Sequence, residues 1–143
     1  MNLETISALD YYFKKNPNLK GTPIKESDIV LAQKDLGVLF NKDYVFFIKK
    51  YGGASAGIDI YSISSSCNSN IIGNENVIEK TKSFWKEFSQ GDNFLKKLYV
   101  ISDDGAGNPI LMHTNGEIYI FYHDDYSIEK LYSDFEDLFK QTL

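Results

Sequence analysis

Residues 36–53 constrain this chain more than any other stretch, because they read as a helix end, a polar corner, a second helix and a double-glycine exit. Tyr44, Phe47, Ile48 and Tyr51 fall at i, i+3, i+4 and i+7, so they share one helical face. Asn41 can cap that helix, and Gly52-Gly53 supplies the positive φ that ends it. The segment carries no reactive chemistry, and its weight lies in its position among the elements around it.

Before it, Ile6, Leu9, Tyr12 and Phe13 share one side of a helix over 3–15, which Asn16-Pro17-Asn18 stops. After a connector, a helix over 26–37 places Glu26 and Asp28 near its positive end and puts Ile29, Ala32, Gln33 and Leu36 on one face. The third helix covers 41–51. The period then changes: Ile58, Ile60 and Ser62 alternate with Asp59, Tyr61 and Ile63, which predicts a strand near 57–62 with both faces at least partly covered. A Ser/Asn-rich loop runs to Asn70, and Ile71-Ile72 reads as a short strand. Val77, Ile78, Thr81, Phe84, Trp85 and Phe88 form the apolar side of a helix over 75–89.

The last third reads as a meander, with strands near 98–102, 110–113 and 118–122. Asn115-Gly116 joins the latter two, and Asn-Gly is the strongest short hairpin signal. Alternation puts Tyr119 and Phe121 on one face and Ile118, Ile120 and Tyr122 on the other, with one face or its rim expected to stay open. Ser133-Asp134-Phe135-Glu136 reads as a capping box opening a helix over 133–141. With no repeat and no linker, the expectation is one α+β domain over 1–143, an antiparallel-rich sheet with helices packed around it. Its core should hold Ile29, Leu36, Tyr44, Phe47, Ile48, Trp85, Ile101, Phe135 and Leu138.

At 143 residues the chain can bury a self-sufficient core, and an aromatic content of 15% separates it from disordered sequences. No apolar run approaches the ~20 residues of a membrane helix, and residues 1–5 lack a basic segment followed by an apolar one. The single cysteine, Cys67, cannot form an internal disulfide and has no basic neighbour to activate it, so a cytoplasmic setting is expected. The net charge of −5 conceals an asymmetry: residues 1–97 balance to +2 and residues 98–143 to −7. Every basic residue is a lysine, which argues against the bidentate grips that arginine makes on phosphate. Such a chain should repel nucleic acid through its C-terminal third and attract basic protein surfaces there.

The order of these signals resembles the SUKH superfamily. Its members show a helix ending in an Ile-x-x-x-Glu-x-x-Leu-Gly-like run, then Leu-Pro-x-x-Tyr-x-x-Phe-Leu, then an aromatic residue before Asn-Gly-Gly. The matching residues run from Ile29 to Leu36-Gly37, then Leu39-Phe40-Asn41-Lys42-Asp43-Tyr44-Val45-Phe46-Phe47-Ile48, then Tyr51-Gly52-Gly53. The glycine-rich turn Asp103-Asp104-Gly105-Ala106-Gly107-Asn108, the acidic hairpin region 116–125 and the closing helix from Ser133 to Phe139 are similar too. Phe40 stands at the usual proline, Gln33 at the usual glutamate and Gly52 at the usual asparagine, substitutions the fold could absorb. The resemblance spans roughly residue 26 to the end. It implies a bacterial immunity protein that binds a polymorphic secreted toxin; some relatives, including eukaryotic cell-wall regulators, instead look like adaptors that bind an intracellular protein.

Catalytic chemistry has little support. Ligand positions counted from Asp103 or Asp104 fall on glycine or alanine, so the turn fails the calcium-loop pattern. His113 and His123 do not pair across their hairpin, Gly-x-Ser-x-Gly is absent, and the glycines of 52–57 follow a helix with no Lys-Ser/Thr behind them. No catalytic residue, metal ligand or cofactor is therefore expected; a hydrolase or metalloenzyme is the least supported class. The expected partner is a basic toxin, such as a nuclease, with no role for nucleic acid or membrane. The expected surface consists of Asp103, Asp104, Glu117, Asp124, Asp125 and Tyr126, with Asp59 and Tyr61 as further candidates. The run Tyr122-His123-Asp124-Asp125-Tyr126 suits a binding rim and a solvated strand end equally well.

Overall fold

The computed structural model describes residues 1–63 and 75–143. The expected loop at 64–70, with Cys67, and the expected strand at Ile71-Ile72 lie outside the described residues. The first helix, α1 (Leu3–Lys15), starts at Asn2, whose side chain accepts from the Thr5 N–H. The next, α2 (Glu26–Leu36), ends at Gly37 in the left-handed conformation. In α3 (Lys42–Tyr51) the Asn41 side chain accepts from the Asp43 N–H and Gly52 closes the helix. All three agree with the sequence periodicity to within a residue.

Gly52 and Gly53 have a second use that periodicity does not reveal. A Cβ on Gly52 would stand 2.2 Å from the Thr22 carbonyl oxygen, and one on Gly21 would stand 2.0 Å from that of Gly53. The connector before α2 therefore lies directly on the backbone leaving α3, and the Ile24 N–H donates to the Ile48 oxygen at 3.0 Å.

The expected strand at 57–62 is a small hairpin instead, in which β1 (Ala54–Ser55) pairs with β2 (Asp59–Ile60). Gly57, at φ 75°, turns the chain between them. Tyr61 then leaves this ladder and donates its N–H to the Ile101 oxygen at 2.8 Å. The fourth helix, α4 (Val77–Phe88), begins at Asn76. The main sheet contains β3 (Leu98–Asp103), β4 (Pro109–His113), β5 (Ile118–Tyr122) and β6 (Ser127–Tyr132), antiparallel in that order. Sequence reading gives no strand at β6, because Ser127-Ile128-Glu129-Lys130-Leu131-Tyr132 is polar and lies at the sheet edge.

The chain closes with α5 (Phe135–Thr142). Its cap is Asp134 rather than the expected Ser133: Asp134 Oδ1 accepts from the Asp137 N–H at 2.8 Å, and Asp137 Oδ2 accepts from the Ser133 N–H at 3.0 Å. The forward bond of a capping box is thus made one residue later, while the return bond reaches the residue before the cap, and two carboxylates face the positive helix end.

Helices cover both faces of the sheet, so of the expected open face or open rim it is the rim that remains, where Tyr119 and Tyr122 stay half-exposed. Tyr99, Ile101, Ile110, Met112, Ile118 and Ile120 meet the buried sides of α1, α2, α3 and α5, whereas Leu98, Val100, Leu111 and Phe121 meet α4 through Phe84. The expected core residues are buried apart from Trp85, which is half-exposed; its indole N–H donates to the Leu95 and Leu98 oxygens, both at 3.0 Å. On the outer side of β3, Thr81 Oγ1 accepts from the Val100 N–H at 2.9 Å.

Buried phenols make the fold sensitive to alkali. Tyr44 donates to the Tyr61 oxygen at 2.7 Å, and the Tyr99 hydroxyl accepts from the Asn41 N–H at 2.8 Å. Burial pushes both hydroxyls well above the ordinary tyrosine range, and Tyr99 adds to the effect on Tyr44. Burial also raises Tyr51, together with its hydrogen bond to Asp10. Unfolded tyrosines ionise near about pH 10, so this stability is fully present below that value and is lost as pH rises past it toward the folded pKa values. The urea midpoint should fall between about pH 8 and about pH 11, and Tyr44→Phe should reduce the fall. A midpoint unchanged over that interval would contradict the assignment.

Candidate functional site

Successive turns of an antiparallel meander fall at alternate ends of the sheet. The turn between β3 and β4 and the turn between β5 and β6 therefore share one end, and with them Asp103, Asp104, Asp124, Asp125 and Tyr126. Asn108 ties the two turns together. Its side-chain oxygen accepts from the His123 N–H at 3.1 Å and lies 2.6 Å from His123 Nδ1, while its side-chain nitrogen donates to Asp104 Oδ2 at 2.8 Å.

The carboxylates are ordered by their own backbone. Asp103 Oδ1 accepts from the Gly105 N–H at 2.6 Å, and Asp104 Oδ1 from those of Ala106 at 2.8 Å and Asn108 at 3.0 Å. Asp125 Oδ1 accepts from the Ser127 hydroxyl at 2.6 Å and N–H at 3.0 Å. The Asn108 side-chain bond holds Asp104 below the usual carboxylate range, and the Ser127 hydroxyl does the same for Asp125. Asp124 is exposed, with one oxygen 3.2 Å from His123 Nε2. Tyr126 is 67% exposed, and its φ of 60° turns the ring toward Phe88, edge-on at 5.2 Å between centroids.

Glu117 does not join this group. It sits in the β4–β5 hairpin at the opposite end of the sheet, 2.7 Å from Lys130 Nζ and 2.6 Å from the Asn115 side-chain nitrogen. The Lys130 bond comes first among the causes that hold its carboxyl below the usual range, so its charge is already matched. Asp59 is half-buried on β2. Tyr61 is only 7% exposed, and its hydroxyl is raised first by burial and then by Asp103, Glu75 and Asp59. It therefore stands beside the acidic end as part of the packed wall.

His113 and His123 lie at opposite ends of the sheet, His113 stacked on Phe94 at 6.2 Å and His123 on the Asn108 tether. Among the described residues, no group of three or more His, Cys, Asp and Glu side chains could hold a metal ion. One position escaped sequence reading. Asn108 looked like one more oxygen-rich turn residue, and nothing in its local sequence marks it as a tether.

A sheet of four antiparallel strands between helical layers, with its acidic turns at one end, defines an α+β protein built around a meander. The chain belongs to the SMI1 / KNR4 family (SUKH-1), which matches residues 23–141. The match runs from the connector before α2 to the last turn of α5 and bears out the resemblance to the SUKH superfamily. No curated protein matches the chain. Among the described residues, no helix is long and apolar enough to cross a membrane.

Proposed function

We propose that this protein is an immunity protein that binds a cognate secreted toxin domain, a basic one such as a nuclease, and blocks it by direct contact without turnover of its own. Family membership supports the class. The observation that carries the reading is the tethered acidic end: among the described residues, Asp103, Asp104, Asp124 and Asp125 have no lysine within ion-pair distance. A nuclease needs cations to grip phosphate, so unmatched carboxylates on pre-ordered turns can steer toward it and cover the same surface.

Changing Asp103, Asp104, Asp124 and Asp125 together to Asn tests this. Asparagine keeps a side-chain oxygen for the turn hydrogen bonds, and exposed carboxylates add little stability, so the variant should fold with a nearly unchanged melting temperature. Its association with the toxin encoded beside its gene should slow by about tenfold or more at low salt, and wild-type association should slow as salt rises. Full protection of toxin-expressing cells by the variant, at equal abundance, would move the contact elsewhere, first to the edge at 52–61. A wild-type protein that binds no neighbouring toxin would put a non-enzymatic adaptor ahead.

A further inference from the structure

At the end of the sheet opposite the acidic turns lies a groove of about 240 Å³. One wall is the corner between α2 and α3, formed by Gly37, Val38 and Leu39. Lys96 and Lys97, on the 3-10 turn Leu95–Lys97 that leads into β3, form another. His113 and Thr114, at the end of β4, complete the lining.

Both walls are pinned. The Thr114 hydroxyl donates to the Leu39 oxygen at 2.6 Å, the Asn41 side-chain nitrogen donates to the Thr114 oxygen at 3.0 Å, and Gln33 Oε1 accepts from the Phe40 N–H at 2.8 Å. On the other side, Asp92 Oδ1 accepts from the Phe94 and Leu95 N–H groups at 2.9 and 3.1 Å, and Leu95 is buried. A surface already ordered in this way loses little entropy on binding. The pinned corner nevertheless leaves Leu39 67% exposed, and Phe94, stacked on His113, is 41% exposed.

The charge of this end is the reverse of the other. Lys49, Lys50, Lys80, Lys82 and Lys130 each have a carboxylate partner, whereas Lys96 and Lys97 have none within ion-pair distance among the described residues. No acidic side chain among them lines the groove. His113 adds a donor: its Nδ1 accepts from the Asn115 N–H at 3.1 Å, so the neutral ring carries its hydrogen on Nε2. Two unmatched ammoniums beside exposed Leu39 complement carboxylates that flank an apolar side chain. Nucleic acid fits less well, because residues 98–143 balance to −7.

We propose that this groove is a second protein-docking site, which takes an acidic segment of a partner with an apolar side chain against Val38 and Leu39 and carboxylates on Lys96 and Lys97. The strands between the two ends run five or six residues, about 17–20 Å, so a protein held at the acidic turns leaves this groove free. The chain can thus hold two partners of opposite charge at once. This second site does not rest on the immunity reading.

The synthetic peptide Asp-Glu-Leu-Asp-Glu tests the groove without any toxin. Titrated into the full-length protein, it should give saturable amide shifts at Leu39, Lys96, Lys97 and His113 that weaken as salt rises. The same peptide with serine for leucine should bind about tenfold more weakly. A Lys96→Gln, Lys97→Gln double variant should also lose about tenfold, with a nearly unchanged melting temperature because both lysines are exposed. The fourfold Asp→Asn variant of the acidic turns should bind the peptide at least as well as the wild type, whatever becomes of the toxin reading. Absence of saturable shifts, shifts scattered over lysines elsewhere, or equal binding of the serine peptide would overturn the proposal. So would the same shifts with single-stranded oligothymidylate at lower concentration, which would make the ligand a nucleic acid. The same shifts on raising the protein concentration alone would overturn it in favour of a second copy.

Discussion

Phe47→Ala should lower the free energy of unfolding by about 3–5 kcal/mol, the usual loss when a large aromatic leaves a cavity in a core. Phe47 is fully buried where three helices converge. Its ring stacks on Phe139 of α5 at 5.4 Å and 15°, and meets Phe135 at 5.7 Å, Tyr51 at 5.1 Å and Phe13 of α1 at 6.5 Å. These neighbours are themselves in mutual contact, Phe13 with Tyr51 at 4.9 Å and Phe135 with Phe139 at 5.2 Å, so none can swing in to fill the space without losing another partner. Urea or guanidinium denaturation reads the loss directly. A change below about 1 kcal/mol would mean that the helices close over the gap.

Gly52→Ala should be of similar size, roughly 2–6 kcal/mol, for a different reason. At φ 69° and ψ −155°, Gly52 occupies backbone space that other residues scarcely enter. The added methyl would also stand within 2.2–2.7 Å of the Thr22 backbone, which no rotamer change can relieve. Gly37 is the control: its φ is also 69°, but in the ordinary left-handed region, and a Cβ there meets nothing within 4 Å. Gly37→Ala should therefore cost only about 1–2 kcal/mol. Equal losses in the two variants would show that the connector at 20–24 yields freely.

The contrast between these glycines marks what was legible in the sequence. Helix periodicity and helix stops are local, so α1, α2 and α3 and the buried face of Tyr44, Phe47, Ile48 and Tyr51 could be read from the residues. That Gly52 also admits the Thr22 backbone is a contact between segments about thirty residues apart, and no local pattern carries it. β6 went unread because an edge strand can be polar on both sides, and that omission hid the relation between the acidic turns. With β6 in place, 123–126 becomes a turn rather than a strand end, and Glu117 falls at the opposite end by alternation alone. The register shift in β3 between Val100 and Ser102, which sets Ser102 opposite Ile110, has no local signal either.

The sheet's two outer strands are guarded against growth by different chemistry. On β3 the outward N–H of Val100 is taken by the Thr81 hydroxyl and the outward carbonyl of Ile101 by the Tyr61 amide, so an arriving strand would have to displace bonds already made. β6 instead carries exposed Glu129 and Lys130, whose charges would have to shed water before a second copy could pair alongside. Crowded copies of this protein thus meet a covered border on one side and a hydrated, charged border on the other, and neither is a template for a fibre.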